Sequence, residues 1–322
     1  MNNYSWIQKK LHKFALSSQI IRETSFDIEK SLVSTKNINE DHVFVAGLAR
    51  SGTTIMLNGL YKSNLFASLS YSDMPFVLAP NIWSNFSSSY KNTKLIERAH
   101  GDGIKISTSS PEAFEEVFWM TFNDKDKESA KNFKDFIALI NNKYNKKRYL
   151  SKNNQNIRRL DLISKILPHS KILIPYRNPF QHSNSLLTQH KRFINLAKKD
   201  NFITDYMKWI GHSEFGPNYI PIIDENLKHQ NEMNINHWLE QWYKTYLNSY
   251  KKYINSENIY FVSYEKLCQS EEYWENILNL LNIKIKYSFS FKDSKKEFSA
   301  RFDSELAKKA TDLESKLNSL TI

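Results

Sequence analysis

A single cysteine, Cys268, stands among 322 residues. No disulfide can therefore form within the chain, which excludes a disulfide-stapled scaffold and suits a reducing compartment. No stretch approaches the roughly 20 apolar residues of a membrane-spanning helix. The N-terminal MNNYSWIQKKLHKFALSSQIIRETSF lacks the unbroken apolar centre of a secretory signal, because Lys9, Lys10, Lys13 and Arg22 interrupt it. An amphipathic helix is expected there instead, in a soluble, cytoplasmic protein with no transmembrane segment. Acidic charge is in the minority, 34 Asp+Glu against 45 Lys+Arg, leaving +11. That balance suits an anionic cofactor, an acidic glycan, a membrane surface or nucleic acid, and separates none of them. The recurrence of Lys and Asn along the chain equally fits a bias of coding. No internal repeat and no proline-rich linker divides the sequence, so a single domain over 1–322 is expected.

What the chain does contain is a set of short apolar, β-branched runs with helical patterns between them. His42–Ala46, Ser170–Tyr176 and Asn258–Tyr264 read as buried strands, and FASLSY (66–71) and GIKIS (103–107) as weaker ones. In NIRRLDLISKILP the residues Ile157, Leu160, Ile163 and Leu167 keep helical spacing until Pro168. Trp238, Trp242 and Tyr246 recur at helical spacing as a core stripe, and FDSELAKKATDLESKLNSL reads as a closing helix. Strands alternating with helices predict an α/β domain with a mainly parallel sheet flanked by helices. An N-terminal helical segment over 1–40 precedes it. The segment 123–155 is so polar that it reads as a surface insertion or a lid.

One run carries chemistry. VFVAGLARSGTTIML (43–57) keeps the glycine spacing of a phosphate-binding loop, Gly47 and Gly52, with a hydroxyl at Thr54. A strand feeding a tight glycine turn and then a helix start presents free N–H groups and a positive dipole end to an anion. Ser51, Thr53 and Thr54 add hydroxyls, and Arg50 adds a planar cationic fork. Yet Thr53 occupies the position where nucleotide hydrolases need lysine, and no apolar run ends in a convincing aspartate for a metal. The pattern favours a shorter anion held without a bridging metal.

A second run, KILIPYRNPFQHSNSLLTQH (171–190), takes a buried strand into Arg177, then Asn178-Pro179 and a helix start bearing Ser183 and Ser185. Arg177 leaves the carboxyl end of its strand, where α/β sheets bind ligands. Two anion sites on separate strand ends call for one ligand with two anionic groups. The pair of motifs resembles the sulfotransferases that use 3′-phosphoadenosine 5′-phosphosulfate (PAPS), a family with a P-loop NTPase-like fold. NIYFVSYEKLC (258–268) continues the likeness. By this resemblance Arg50, Ser51, Gly52, Thr53 and Thr54 cradle the 5′-phosphosulfate, Arg177 and Ser185 grip the 3′-phosphate, and Tyr264 approaches the nucleotide. PAPS is then the cofactor, 3′-phosphoadenosine 5′-phosphate (PAP) its product, and no metal is required.

Sulfuryl transfer to an alcohol needs a base for the acceptor proton and cations for the departing phosphate. For the base the resemblance points by position to Asp73, 23 residues after Arg50. His100 is its rival, and so are Glu112, Glu115 and Glu116 in SSPEAFEEVFW, which also read as a capped helix start. Lys152, 25 residues before Arg177, matches the family's leaving-group lysine, although Asn154 stands where a proline is common. Phe114, Phe118, Trp119 and Phe122 read as core or as an acceptor pocket. The expected partner is a hydroxyl-bearing acceptor, carbohydrate, lipid or small molecule, with no specific nucleic acid and a homodimer left open. Two other readings stay in play: a divergent phosphate-loop kinase, and a non-catalytic nucleotide- or nucleic-acid-binding protein.

Overall fold

Strands covered on both faces need side chains that tolerate burial everywhere, and three runs supply them: VFV, KILIPY and IYFVS. The computed structural model describes residues 5–34, 41–87, 96–97, 105–123, 127–285, 287–292 and 297–320. Helices α1 (Trp6–Ser17) and α2 (Gln19–Leu32) lead into β1 (Val43–Val45), α3 (Thr53–Tyr61), β2 (Phe66–Ala67) and α4 (Pro80–Ser87). The pair β3 (Ile96–Glu97) and β4 (Lys105–Ile106) follows, then α5 (Glu116–Phe122), α6 (Lys127–Tyr144), β5 (Arg148–Lys152) and α7 (Leu160–Ile166). The remainder is β6 (Lys171–Tyr176), α8 (Pro179–Ala197), α9 (Asn201–Trp209), α10 (Ile235–Tyr253), β7 (Ile259–Ser263), α11 (Tyr264–Gln269), α12 (Glu271–Leu280) and α13 (Ser304–Asn318).

Five strands form one parallel sheet in the order β2-β5-β1-β6-β7, while β3 and β4 pair antiparallel apart from it. Val45 stands opposite Lys152 on one side and Leu173 on the other, so β1 lies at the centre. Strand alternation sends Phe44 to one face and Val43 and Val45 to the other. Phe44 joins Phe118, Phe133, Tyr149, Trp242 and Tyr246 in the larger core. The two valines join Met56, Leu57, Leu150, Leu173 and Ile277 in the smaller one. The expected stripe on α10 is core, as its spacing implied, and α13 closes over it with Leu306, Ala310, Leu313 and Leu317 buried.

The segment 123–155, read as an insertion or lid from its polarity, holds α6 and a strand next to β1. Helix α6 buries Phe133, Phe136, Ile137, Leu139 and Ile140 completely. A one-faced helix, and a strand with a cation at each end, average out as polar although each has an apolar side. The aromatic group weighed as an acceptor pocket lies in this same core. The ring centroids of Phe118 and Phe136 are 4.9 Å apart, and those of Trp119 and Phe133 are 4.5 Å apart. Truncating such a ring costs about 3–5 kcal/mol, so these side chains hold the fold. The N-terminal helices belong to it as well. Phe26 packs on Phe118 and Phe122, and the buried Glu29 accepts from the N–H groups of Asn81 (2.7 Å) and Ile82 (3.0 Å), capping α4.

Candidate anion-binding and transfer site

All the parallel strands deliver their carboxyl ends to one edge, and β5, β1, β6 and β7 each deliver a candidate site residue there. After β1 the chain turns through 46–52 with two left-handed residues, Arg50 (φ 70°) and Gly52 (φ 100°). Glycine is required at 52 for a second reason: a Cβ there would lie 2.4 Å from the ring of Tyr264. Tyr264, the first residue of α11, is buried, and its hydroxyl donates to the Lys292 carbonyl at 2.9 Å. The ring thus forms a wall against which the loop lies flat.

Arg177 leaves β6 across the same ring, its guanidinium 5.3 Å from the Tyr264 centroid. Its Nη1 donates to the Arg50 carbonyl at 3.4 Å, and its own carbonyl accepts from Trp242 Nε1 at 3.1 Å. Asn178 then caps α8 by accepting from Phe180 and Gln181 N–H, both at 3.2 Å, with Pro179 in the first turn. On that helix Ser185 Oγ accepts from Arg50 Nε at 3.2 Å. Arg50, Arg177 and Ser185 therefore meet, as a pair of motifs serving one ligand requires. The side chain of Arg50 is thus turned toward Ser185. Arg177 Nε is buried with no hydrogen-bond partner among the described residues. A buried, orphaned guanidinium N–H fits a phosphate oxygen.

His182 locks this corner. It is fully buried, and its Nε2–H donates to the Ala49 carbonyl at 2.7 Å. Burial, with Arg177 and Arg50 nearby, pushes its pKa down from 6.5 to about 3 against the Ala49 hydrogen bond, so the ring is neutral. An unfolded chain protonates this histidine first. Its contribution to stability is therefore complete above pH 6.5 and is lost as pH falls toward 3. Buried His42, lowered to about 4, acts in the same direction. Unfolding free energy measured by denaturant should drop by about 1.4 kcal/mol per pH unit for each such group. His182→Gln, which retains a donor, should remove one group's share of that slope.

On the other side of β1, Lys152 ends β5 level with Val45, and the chain turns through the 3-10 stretch Asn154–Arg158. Thr53, the first residue of α3, donates through Oγ1 to Asn154 Oδ1 at 3.3 Å. Asn154 Nδ2 donates in turn to Glu214 Oε1 at 2.9 Å, and Glu214 Oε2 lies 3.1 Å from His212 Nδ1. A histidine–carboxylate pair is thus tied to the loop through one amide. Sequence reasoning missed it, and its only local trace is the pair His212 and Glu214 two residues apart, between α9 and α10.

The other acidic candidates hold partners within the fold. Asp73 is buried and takes four donors: Ser70 N–H (2.7 Å), Ser70 Oγ (3.3 Å), Tyr144 OH (2.7 Å) and the Lys143 ammonium. Three of those donors meet Oδ2, and the Lys143 ammonium meets Oδ1. Lys143 and Tyr144 belong to the last turn of α6, which enters β5 at the end opposite Lys152. Glu112 accepts from Tyr71 OH at 2.8 Å. Glu115 accepts from Trp119 Nε1, Tyr149 OH and Asn156 Nδ2. Glu116 holds Arg159 by two 2.7 Å bonds and also Asn153, although burial raises its pKa. Glu115 and Glu116 anchor α5 to the turn after β5, but the helix begins only at Glu116 with no side-chain cap, so the capped start expected at Ser110–Pro111 is not formed. His100 lies outside the described residues.

Residues 42–286 match the model of a family described as the sulfotransferase family. Among solved structures the chain is similar to the sulfotransferase STF1 from Mycobacterium tuberculosis H37Rv, with 11% identity and a TM-score of 0.48 over 98% of this chain and 87% of that one. The sulfotransferase STF9 from Mycobacterium avium gives 11% and 0.46 over 98% and 79%. A sulfotransferase from Alicyclobacillus acidocaldarius gives 13% and 0.42 over 87% and 96%. No curated protein matches the chain.

Proposed function

Because the chain belongs to the sulfotransferase family, we propose that it moves the sulfuryl group of PAPS to a hydroxyl of an acceptor, leaving PAP. The meeting of Arg50, Arg177 and Ser185 at the ends of two adjacent strands supports this most directly. In this reading Arg177, Arg50 and Ser185 bind the 3′-phosphate. Residues Ser51–Thr54, with the N-terminus of α3, receive the 5′-phosphosulfate. Tyr264 walls the nucleotide, and Lys152 faces the departing 5′-phosphate.

His212 takes the role of base in place of Asp73. Glu214 Oε2 lies 3.1 Å from Nδ1, a carboxylate placed to steady the ring and the imidazolium that forms when it takes the acceptor's proton. As the acceptor oxygen bonds to sulfur, the bond from sulfur to the phosphate oxygen breaks and His212 takes the proton. The acceptor's class, carbohydrate, lipid or small alcohol, is not specified by these residues. Calorimetric titration with PAP tests the reading. Binding in the presence of a chelator, unchanged by added magnesium, is the expected result. Magnesium-dependent ATP turnover without PAP binding would instead identify a kinase.

A further inference from the structure

Helix α1 buries His12, Ala15 and Leu16 on one face. The opposite face carries Trp6, Ile7, Lys10, Lys13, Phe14 and Ser17, which share an arc of about 120° at 100° per residue. Trp6 is 72% exposed, Ile7 67% and Phe14 57%, and Ile20 at the start of α2 adds a further 73%. These are large apolar groups grouped on one side, where a soluble surface scatters them singly. Between them the charge has one sign. The helix WIQKKLHKFALS holds three lysines and no acid. Lys10 lies over the Trp6 ring at 5.5 Å, and Lys9, at the edge of the face, pairs with Asp200 of the neighbouring α9 turn at 3.4 Å. Lys198 and Lys199, just before that turn, are exposed as well.

We propose that α1 docks the protein on an anionic phospholipid bilayer, lying in the interface plane with Trp6, Ile7 and Phe14 inserted. Aromatic and aliphatic side chains flanked by lysines, on a helix with no acid, match the chemistry of that boundary. A second copy of the chain fits less well. A two-fold interface sets the same patch against itself and would crowd the α1 lysines of one copy against those of the other, with no acid on α1 to offset them. The inference does not depend on the reading of the nucleotide site, and its test uses no PAPS.

Full-length protein is floated with neutral phosphatidylcholine vesicles and with equimolar phosphatidylcholine–phosphatidylglycerol vesicles. Recovery on the anionic vesicles alone, lost in high salt, is the expected result, since each lysine near such a surface contributes roughly fivefold in partition. The double variant Trp6→Glu, Phe14→Glu should lose at least about tenfold in bound fraction while keeping its melting temperature, because both side chains are exposed. A second variant, Lys10→Glu with Lys13→Glu, should lose the preference for anionic lipid and checks the result if the first folds poorly. The proposal falls if anionic and neutral vesicles bind alike or if both variants float as the parent does. It also falls if light scattering finds a dimer that Trp6→Glu dissociates.

Discussion

Arg177→Ala is expected to weaken PAP binding by roughly two to three orders of magnitude, the range for truncating one partner of a buried, hydrogen-bonded charge pair. The side chain follows β6, next to the central strand, lies over Tyr264 and touches the Arg50 carbonyl, so its loss removes a charge and a support of the loop together. Ser185→Ala removes one neutral hydroxyl and should cost only about tenfold. Calorimetry on the three proteins gives the ranking, with thermal melting as the control for folding. Equal affinity in the parent and Arg177→Ala would mean that the two motifs serve different ligands.

The second large effect is on turnover. His212→Ala should lower kcat by roughly two to three orders of magnitude, as the loss of a general base does, while PAP binds with unchanged affinity. The loss should fall on kcat with KM little changed, a split that a merely structural histidine would not give. Glu214→Gln should lower kcat less, because the ring remains and only its partner is changed. Asp73→Asn should behave in the opposite way. It leaves the Lys143 ammonium without its buried counter-charge and should cost about 3–5 kcal/mol of stability, with kcat of the folded protein little changed. A kcat that collapses in folded Asp73→Asn and persists in His212→Ala would return the role of base to Asp73.

The legible parts were those whose physics is local. Strands β1, β6 and β7 are buried on both faces and therefore read as unbroken apolar runs. The loop at 47–54 and the Arg177–Ser185 element are each complete within one strand–turn–helix unit. Strand β5 was not seen, because RYLSK holds only Tyr149 and Leu150 between cations that have work elsewhere. Arg148 donates to the Asp41 and Leu281 carbonyls, and Lys152 ends the strand level with Val45. The same limit explains the carboxylates. Nothing near Asp73 in sequence announces that Lys143 and Tyr144, about 70 residues on, will occupy it. Nor does the 210–234 connection announce that Glu214 reaches Asn154, 60 residues back. The turned side chain of Arg50 is a third case. Its position in the motif suggested the phosphosulfate, and only the fold brings Ser185 within its reach.

Arg50 holds a backbone shape natural to glycine, φ 70°, which burdens an ordinary L-residue by roughly 1–2 kcal/mol. A glycine there would relieve that burden and give a sturdier chain with a blunter grip on its ligand. Selection for robustness alone would have made the exchange, so the arginine marks a place where the molecule has kept aptitude over durability.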